Sequence, residues 1–153
     1  MLTNKHSAVT MGRSWSKRVN LSENSVMSHF TKIKTQIAQK EFLLRALKDL
    51  GHSYEEGEVK IRGYAGASTA VEVRIPTNSS GYDIGFSKNG DTYEVVADWY
   101  GVRGFNRKSF LERLAQRYAY HATKAKLEEQ GFAVSAEETQ NDGRIHLVLR
   151  RIA

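Results

Sequence analysis

Cysteine is absent from the 153-residue chain. That excludes disulfides, thiolate metal sites, iron–sulfur ligation and a cysteine nucleophile, while leaving the compartment open. Also missing is any apolar run near the roughly 18 residues that span a membrane, so a soluble protein is expected. The five histidines, His6, His29, His52, His121 and His146, include no i, i+4 pair. Metal ligands must converge, and this spacing offers no convergence, so no metal site is expected. A Gly-x-Ser-x-Gly nucleophile elbow is lacking as well. Gly63-Tyr64-Ala65-Gly66 has the Gly-x-x-Gly spacing of a nucleotide clamp, but strands flank it instead of helices, and no phosphate-loop Lys-Ser/Thr follows. It reads as a turn. No catalytic residue and no cofactor emerge, and an enzyme is the less favoured class.

The charge balance is less basic than its net of +6 suggests. Residues 1–26 hold Lys5, Arg13, Lys17 and Arg18 against Glu23, half of the surplus. The remaining residues are therefore only weakly basic, and overall charge is poor evidence for a nucleic-acid partner. The same N-terminal stretch is rich in serine and asparagine, has no periodicity and carries few apolar residues. It reads as a disordered basic extension, either dispensable or an organellar transit segment. Residues 27–153 read as one α+β domain, a length suited to a single core.

The clearest local signal is a hairpin in Tyr82–Gly101. Tyr82, Ile84 and Phe86 alternate with polar or small residues, Asn89-Gly90 supplies a turn, and Tyr93, Val95, Ala97 and Trp99 alternate after it. A strand is expected over Phe30–Thr35. An amphipathic helix is expected over Gln39–Leu50, with Phe42, Leu43, Ala46, Leu47 and Leu50 on one face and Gly51 as its cap. Short strands follow at Ser53–Glu55, Glu58–Arg62 and Ala70–Ile75. A second helix is expected from near Arg107 to Gln130, capped either by a Ser109/Glu112 box or by Asn106. Its apolar face carries Phe110, Leu111, Leu114, Tyr118, Ala122 and Ala125. Phe132–Glu137 and Arg144–Ile152 then form another hairpin across Asn141-Asp142-Gly143. The expected architecture is a mostly antiparallel sheet with two helices packed on one face. The order strand–helix–strand–strand occurs twice, which suggests an internal duplication.

Several stretches carry a resemblance that composition does not. They are Met27-Ser28-His29-Phe30-Thr31-Lys32-Ile33-Lys34-Thr35, Arg62-Gly63-Tyr64, Tyr82-Asp83-Ile84-Gly85-Phe86, Asn89-Gly90-Asp91-Thr92-Tyr93, Val96-Ala97-Asp98-Trp99, and Asp142-Gly143-Arg144-Ile145 with Leu147-Val148-Leu149-Arg150-Arg151. Through them residues 27–151 resemble the hypothetical chloroplast reading frame thirty-five family of plastids and cyanobacteria, a domain of unknown function. The resemblance implies a cyanobacterial cytoplasm or plastid stroma. It implies no activity and no catalytic residues.

Two constellations remain as candidate binding sites. Asp98, Tyr100 and Arg103 cluster at the end of the central hairpin, where a carboxylate between aromatics suits a ligand. Its structural reading has Trp99 in the core and Asp98 facing solvent, Arg103 or a loop backbone. On the second helix Arg113, Arg117 and Lys124 fall within about 40° of one another, with Tyr120 beside them, as a stripe for phosphates or an acidic partner. Three readings follow: an interaction or assembly-accessory protein with an unknown protein partner, an RNA-binding module using the stripe or the sheet face, and a small-molecule site around Asp98.

Overall fold

The computed structural model describes residues 29–152. The extension expected over residues 1–26 and the domain start at Met27 lie outside the described residues. The ordered elements are β1 (Thr31–Lys34), α1 (Lys40–Asp49), β2 (Glu55–Arg62), β3 (Ser68–Pro76), β4 (Asp83–Asn89), β5 (Thr92–Ala97), α2 (Arg107–Glu129), β6 (Phe132–Thr139) and β7 (Ile145–Arg151). A short 3-10 turn, Tyr64–Gly66, joins β2 to β3.

The central hairpin is β4–β5, paired from Ile84↔Ala97 to Asn89↔Thr92. Its turn is Gly90-Asp91 and not Asn89-Gly90, because Asn89 still pairs across to Thr92. Within the turn positive φ falls on Gly90, at 71°, the first central position, where a two-residue turn of this kind takes glycine. Around this hairpin the strands run in the order β1-β5-β4-β3-β2, and every neighbouring pair is antiparallel.

Both helices cover one face of that sheet. Leu43, Ala46 and Leu47 of α1 and Phe110 and Leu114 of α2 pack on Val73, Ile75, Ile84, Phe86, Val95 and Ala97. Full burial of each large side chain contributes about 1.5–3 kcal/mol. Trp99 is half-buried against the same core. α1 closes as a Schellman motif: Gly51 has φ 83°, its amide reaches the Lys48 carbonyl at 2.9 Å, and the His52 amide reaches the Leu47 carbonyl at 3.0 Å. At the start of α2 the Asn106 side chain accepts from the Ser109 amide at 2.9 Å. Asn106 is thus the cap, and the Ser109/Glu112 box is not used.

The two short strands expected around Gly57 are one strand, β2, with a bulge between Glu56 and Val59. Gly57 sits in the bulge with φ 114°, a conformation open to glycine. This bulge has a structural consequence. β3 pairs with β4 only as far as Val73↔Phe86. Beyond it the Glu72 carboxylate takes the Lys88 amide at 2.8 Å in place of a ladder bond. The far half of the β2–β3 hairpin then lies across the second face of the sheet. There Ile61 and Val71 form a smaller core with Val96 and Phe30. The sheet is helix-covered on one side and crossed by its own hairpin on the other, so the second face is not the open platform considered for RNA.

β6 and β7 pair only with each other, as a separate two-stranded sheet. The order strand–helix–strand–strand recurs as β1-α1-β2-β3 and β5-α2-β6-β7. The two occurrences are packed differently, one within the main sheet and one beside it. Among the described residues no helix is long and apolar enough to cross a membrane.

Candidate functional site: a polar pocket and an apolar groove

Two buried aspartates hold the tip of the β2–β3 hairpin. Asp83, fully buried at the start of β4, accepts at Oδ2 from the Arg62 amide at 2.9 Å and from Arg62 Nε at 3.0 Å, and at Oδ1 from Arg62 Nη2 at 3.0 Å. Burial alone would push the Asp83 carboxyl up, but the hydrogen bonds and charge of Arg62 outweigh it and hold the group below the usual carboxylate range. Asp98, 1% exposed just past β5, accepts at Oδ2 from the Tyr64 amide at 2.9 Å. His29 Nδ1 stands 3.9 Å from the same oxygen. The tip closes this tightly because Gly63 has no side chain. A Cβ there would lie 2.9 Å from the Phe30 ring and 3.2 Å from Asp98 Cβ.

Asp98 Oδ1 is different. It is buried and has no hydrogen-bond partner among the described residues, and the same holds for Trp99 Nε1. Both residues line a pocket of 460 Å³ whose other walls include His29, Tyr64, Tyr100 and Arg107. Tyr64 and Tyr100 are 49% and 85% exposed, and the His29 ring packs edge-on to Tyr64 at 4.7 Å between centroids. Of the residues anticipated from the sequence, Asp98 and Tyr100 meet in this pocket. Arg103 does not. Its amide donates to Ser79 Oγ at 2.6 Å, and it lines a neighbouring depression with Tyr82 and Tyr100. Asp98 binds a loop backbone, as its structural reading allowed, but the loop is 34 residues away in sequence.

Within the basic stripe Arg117 is committed to an internal ion pair. Arg117 donates to Asp49 Oδ2 through Nη2 at 2.6 Å and Nε at 3.0 Å, so it ties α2 to the end of α1. His121 Nε2 meets the same oxygen at 2.6 Å. Burial would raise Asp49, but these partners outweigh it and lower its pKa. The Arg117 guanidinium also lies 4.4 Å over the Tyr120 ring, with Lys124 at 5.9 Å. Tyr120 donates to Glu137 on β6, and that bond first, burial second, pushes its phenol up to about 12. Arg113 stands apart from this cluster. Its charge adds to burial in lowering the pKa of His52. The stripe therefore brings Arg117, Tyr120 and Lys124 together, with Arg117 neutralised.

A second concavity is apolar. It measures 570 Å³ and runs between α2 and the segment from β1 into α1, lined by Ile33, Ile37, Leu111, Ala115, Tyr118 and Ala119 among others. The Tyr118 hydroxyl accepts from the amides of Ala38 at 3.0 Å and Gln39 at 3.1 Å, which fixes the groove's two walls to each other. Sequence reasoning placed Leu111 and Tyr118 on the buried face of the helix and did not single out His29, Tyr64 or Arg107. Tyr64 reaches the pocket through the fold-back of β2–β3 and His29 through the pairing of β1 with β5, neither of which a local pattern announces.

The class defined by this architecture is an α+β domain, an antiparallel sheet backed by two helices, with a polar pocket at the end of β5 and an apolar groove beside the β1 edge. The chain belongs to the family of proteins of unknown function DUF1257, which matches residues 46–148. It is similar to the uncharacterised protein ycf35 of Guillardia theta, 36% identical over 126 residues, covering 82% of this chain and 98% of the relative. Those of Cyanophora paradoxa and Pyropia yezoensis are 33% and 34% identical, with the same coverage of 82% and 98%. The resemblance drawn over residues 27–151 holds, and neither the family nor these relatives carry a stated activity. No solved structure matches the chain.

Proposed function

We propose that the protein is a non-enzymatic interaction or assembly-accessory domain that docks an apolar segment of a protein partner, in a plastid stroma or cyanobacterial cytoplasm. The observation that carries this reading is the apolar groove. Ala115 and Ala119 are exposed along it, between half-buried Leu111 and Tyr118, and Ile33 and Ile37 form its other wall. A helix face of this kind normally meets another element. β1 runs at the edge of the five-stranded sheet, so an extended partner segment has unpaired backbone beside the groove as well as apolar surface. The resemblance to the plastid reading-frame proteins supports the location. The RNA reading has less support, because Arg117 is paired with Asp49 and the second sheet face is crossed by β2–β3.

Ala119→Arg tests the proposal. The side chain is exposed, so stability should change by less than about 0.5 kcal/mol, while the arginine obstructs the groove. Proteins captured from a photosynthetic lysate by the unaltered chain should be lost from the variant. Capture of the same proteins at equal yield would overturn the reading.

A further inference from the structure

We propose that the pocket at the end of β5 binds a mononucleotide whose base carries an exocyclic amino group. The inference stands on observations separate from the groove. Three features of the pocket ask for three different parts of one ligand. The first is Asp98 Oδ1, an acceptor with no partner among the described residues, on a side chain that is almost wholly buried. An unmatched buried acceptor is costly, and a donor from a ligand removes the cost. An amino group meets this need. The imide edge of uracil meets it poorly, because two carbonyl oxygens flank its single N–H and would face the carboxylate.

The second feature is a positive charge in the lining of the same pocket. Arg107 lines it, and its exposed side chain forms no ion pair or hydrogen bond among the described residues. It is also the first residue of α2, a helix of 23 residues whose first turn holds no acidic side chain. A helix start ordinarily attracts acids; here the neutral Asn106 caps the Ser109 amide and no acidic side chain supplies the charge, which an external anion can do. The third feature is the pair of exposed tyrosines in the lining, Tyr64 and Tyr100, side chains of the kind on which a flat base stacks. The pocket volume of 460 Å³ lies within the range of small-ligand sites. Amino group to Asp98, ring against tyrosine, phosphate toward Arg107: together they describe a nucleotide.

Calorimetric titration of the full chain with AMP, adenosine, CMP and UMP at low salt tests this. CMP and UMP differ at the amino-for-carbonyl position, and AMP and adenosine differ by the phosphate. CMP should bind about tenfold or more tightly than UMP, and AMP about tenfold more tightly than adenosine. Asp98→Asn should abolish the CMP-over-UMP preference. Should that variant fail to fold, Arg107→Gln, on an exposed side chain, still decides: it should abolish the preference for AMP over adenosine. The proposal is overturned if none of the four binds at millimolar concentration, if CMP and UMP bind equally, if Arg107→Gln keeps the phosphate preference, or if an RNA oligonucleotide binds where mononucleotides do not.

Discussion

Arg62 contributes two groups to one carboxylate. Its amide and its guanidinium both reach Asp83, a residue 21 positions away that is fully buried while the guanidinium is half exposed. The asymmetry decides which partner matters more. Removing the arginine leaves an ionised carboxylate buried with one amide, whereas removing the aspartate leaves a guanidinium that water solvates. Arg62→Ala should therefore cost about 3 kcal/mol at neutral pH. The pH dependence follows from the lowered pKa of Asp83. In the unaltered protein its contribution is present above the ordinary carboxylate value of 3.8 and is lost as pH falls through the lowered folded value. In Arg62→Ala burial acts with much less opposition and raises the same group. Its cost is then present at neutral pH and relieved on acidification. The gap between the denaturation midpoints of the two proteins should begin to narrow as pH falls through the raised value of the variant's Asp83 and close only below the lowered folded value of the unaltered protein; a gap that stays constant from neutral pH downward would show that Asp83 does not respond to the loss of Arg62.

The hairpin β2–β3 is the element on which both the second core and the pocket depend. Its alternation, Val71, Val73 and Ile75 against Ala70, Glu72 and Arg74, was legible as a strand, as were β4, β5 and both helices. Period two says that a strand has a buried face, not what buries it, and it cannot report that one strand serves two cores. Val73 and Ile75 lie under the helices while Val71 lies under the opposite side of the sheet. Gly57 and Gly85 carried no local signal for this, although both are required. The pocket was half legible for the same reason: Asp98 and Tyr100 adjoin in sequence, but Tyr64 reaches them only through the fold-back. At Gly85 a Cβ would meet Val71 Cγ1 at 2.7 Å and Ile61 Cγ2 at 2.9 Å. Gly85→Ala should therefore cost about 1–3 kcal/mol through overpacking. Val71→Ala opens space at that contact, so the double variant should be less destabilised than the sum of its single changes. Strict additivity in chemical denaturation would mean that the hairpin does not press on Gly85.

At the scale of the whole molecule, stability is expected to be unevenly distributed. Both buried cores are built from β1–β5, the two helices and their connectors, and neither contains a residue of β6 or β7. The β6–β7 hairpin is attached to α2 by the Tyr120–Glu137 hydrogen bond, and the Ile152 amide closes it onto the Gly131 carbonyl at 2.9 Å. It exposes Val148, at 57%, and Ile152 to a similar degree. An element with little buried apolar surface opens by itself at a free energy below that of global unfolding. Amides of β6 and β7 should accordingly exchange with solvent at least about tenfold faster than those of β4 and β5 under native conditions. Tyr120→Phe removes the tie to Glu137 and keeps the ring under Arg117 and Lys124. It should accelerate exchange in β6–β7 further and leave β4–β5 unchanged. If the two hairpins instead exchange at one common rate, β6–β7 unfolds only with the whole domain, and its contacts with α2 are then as integral to the fold as the helix-covered core.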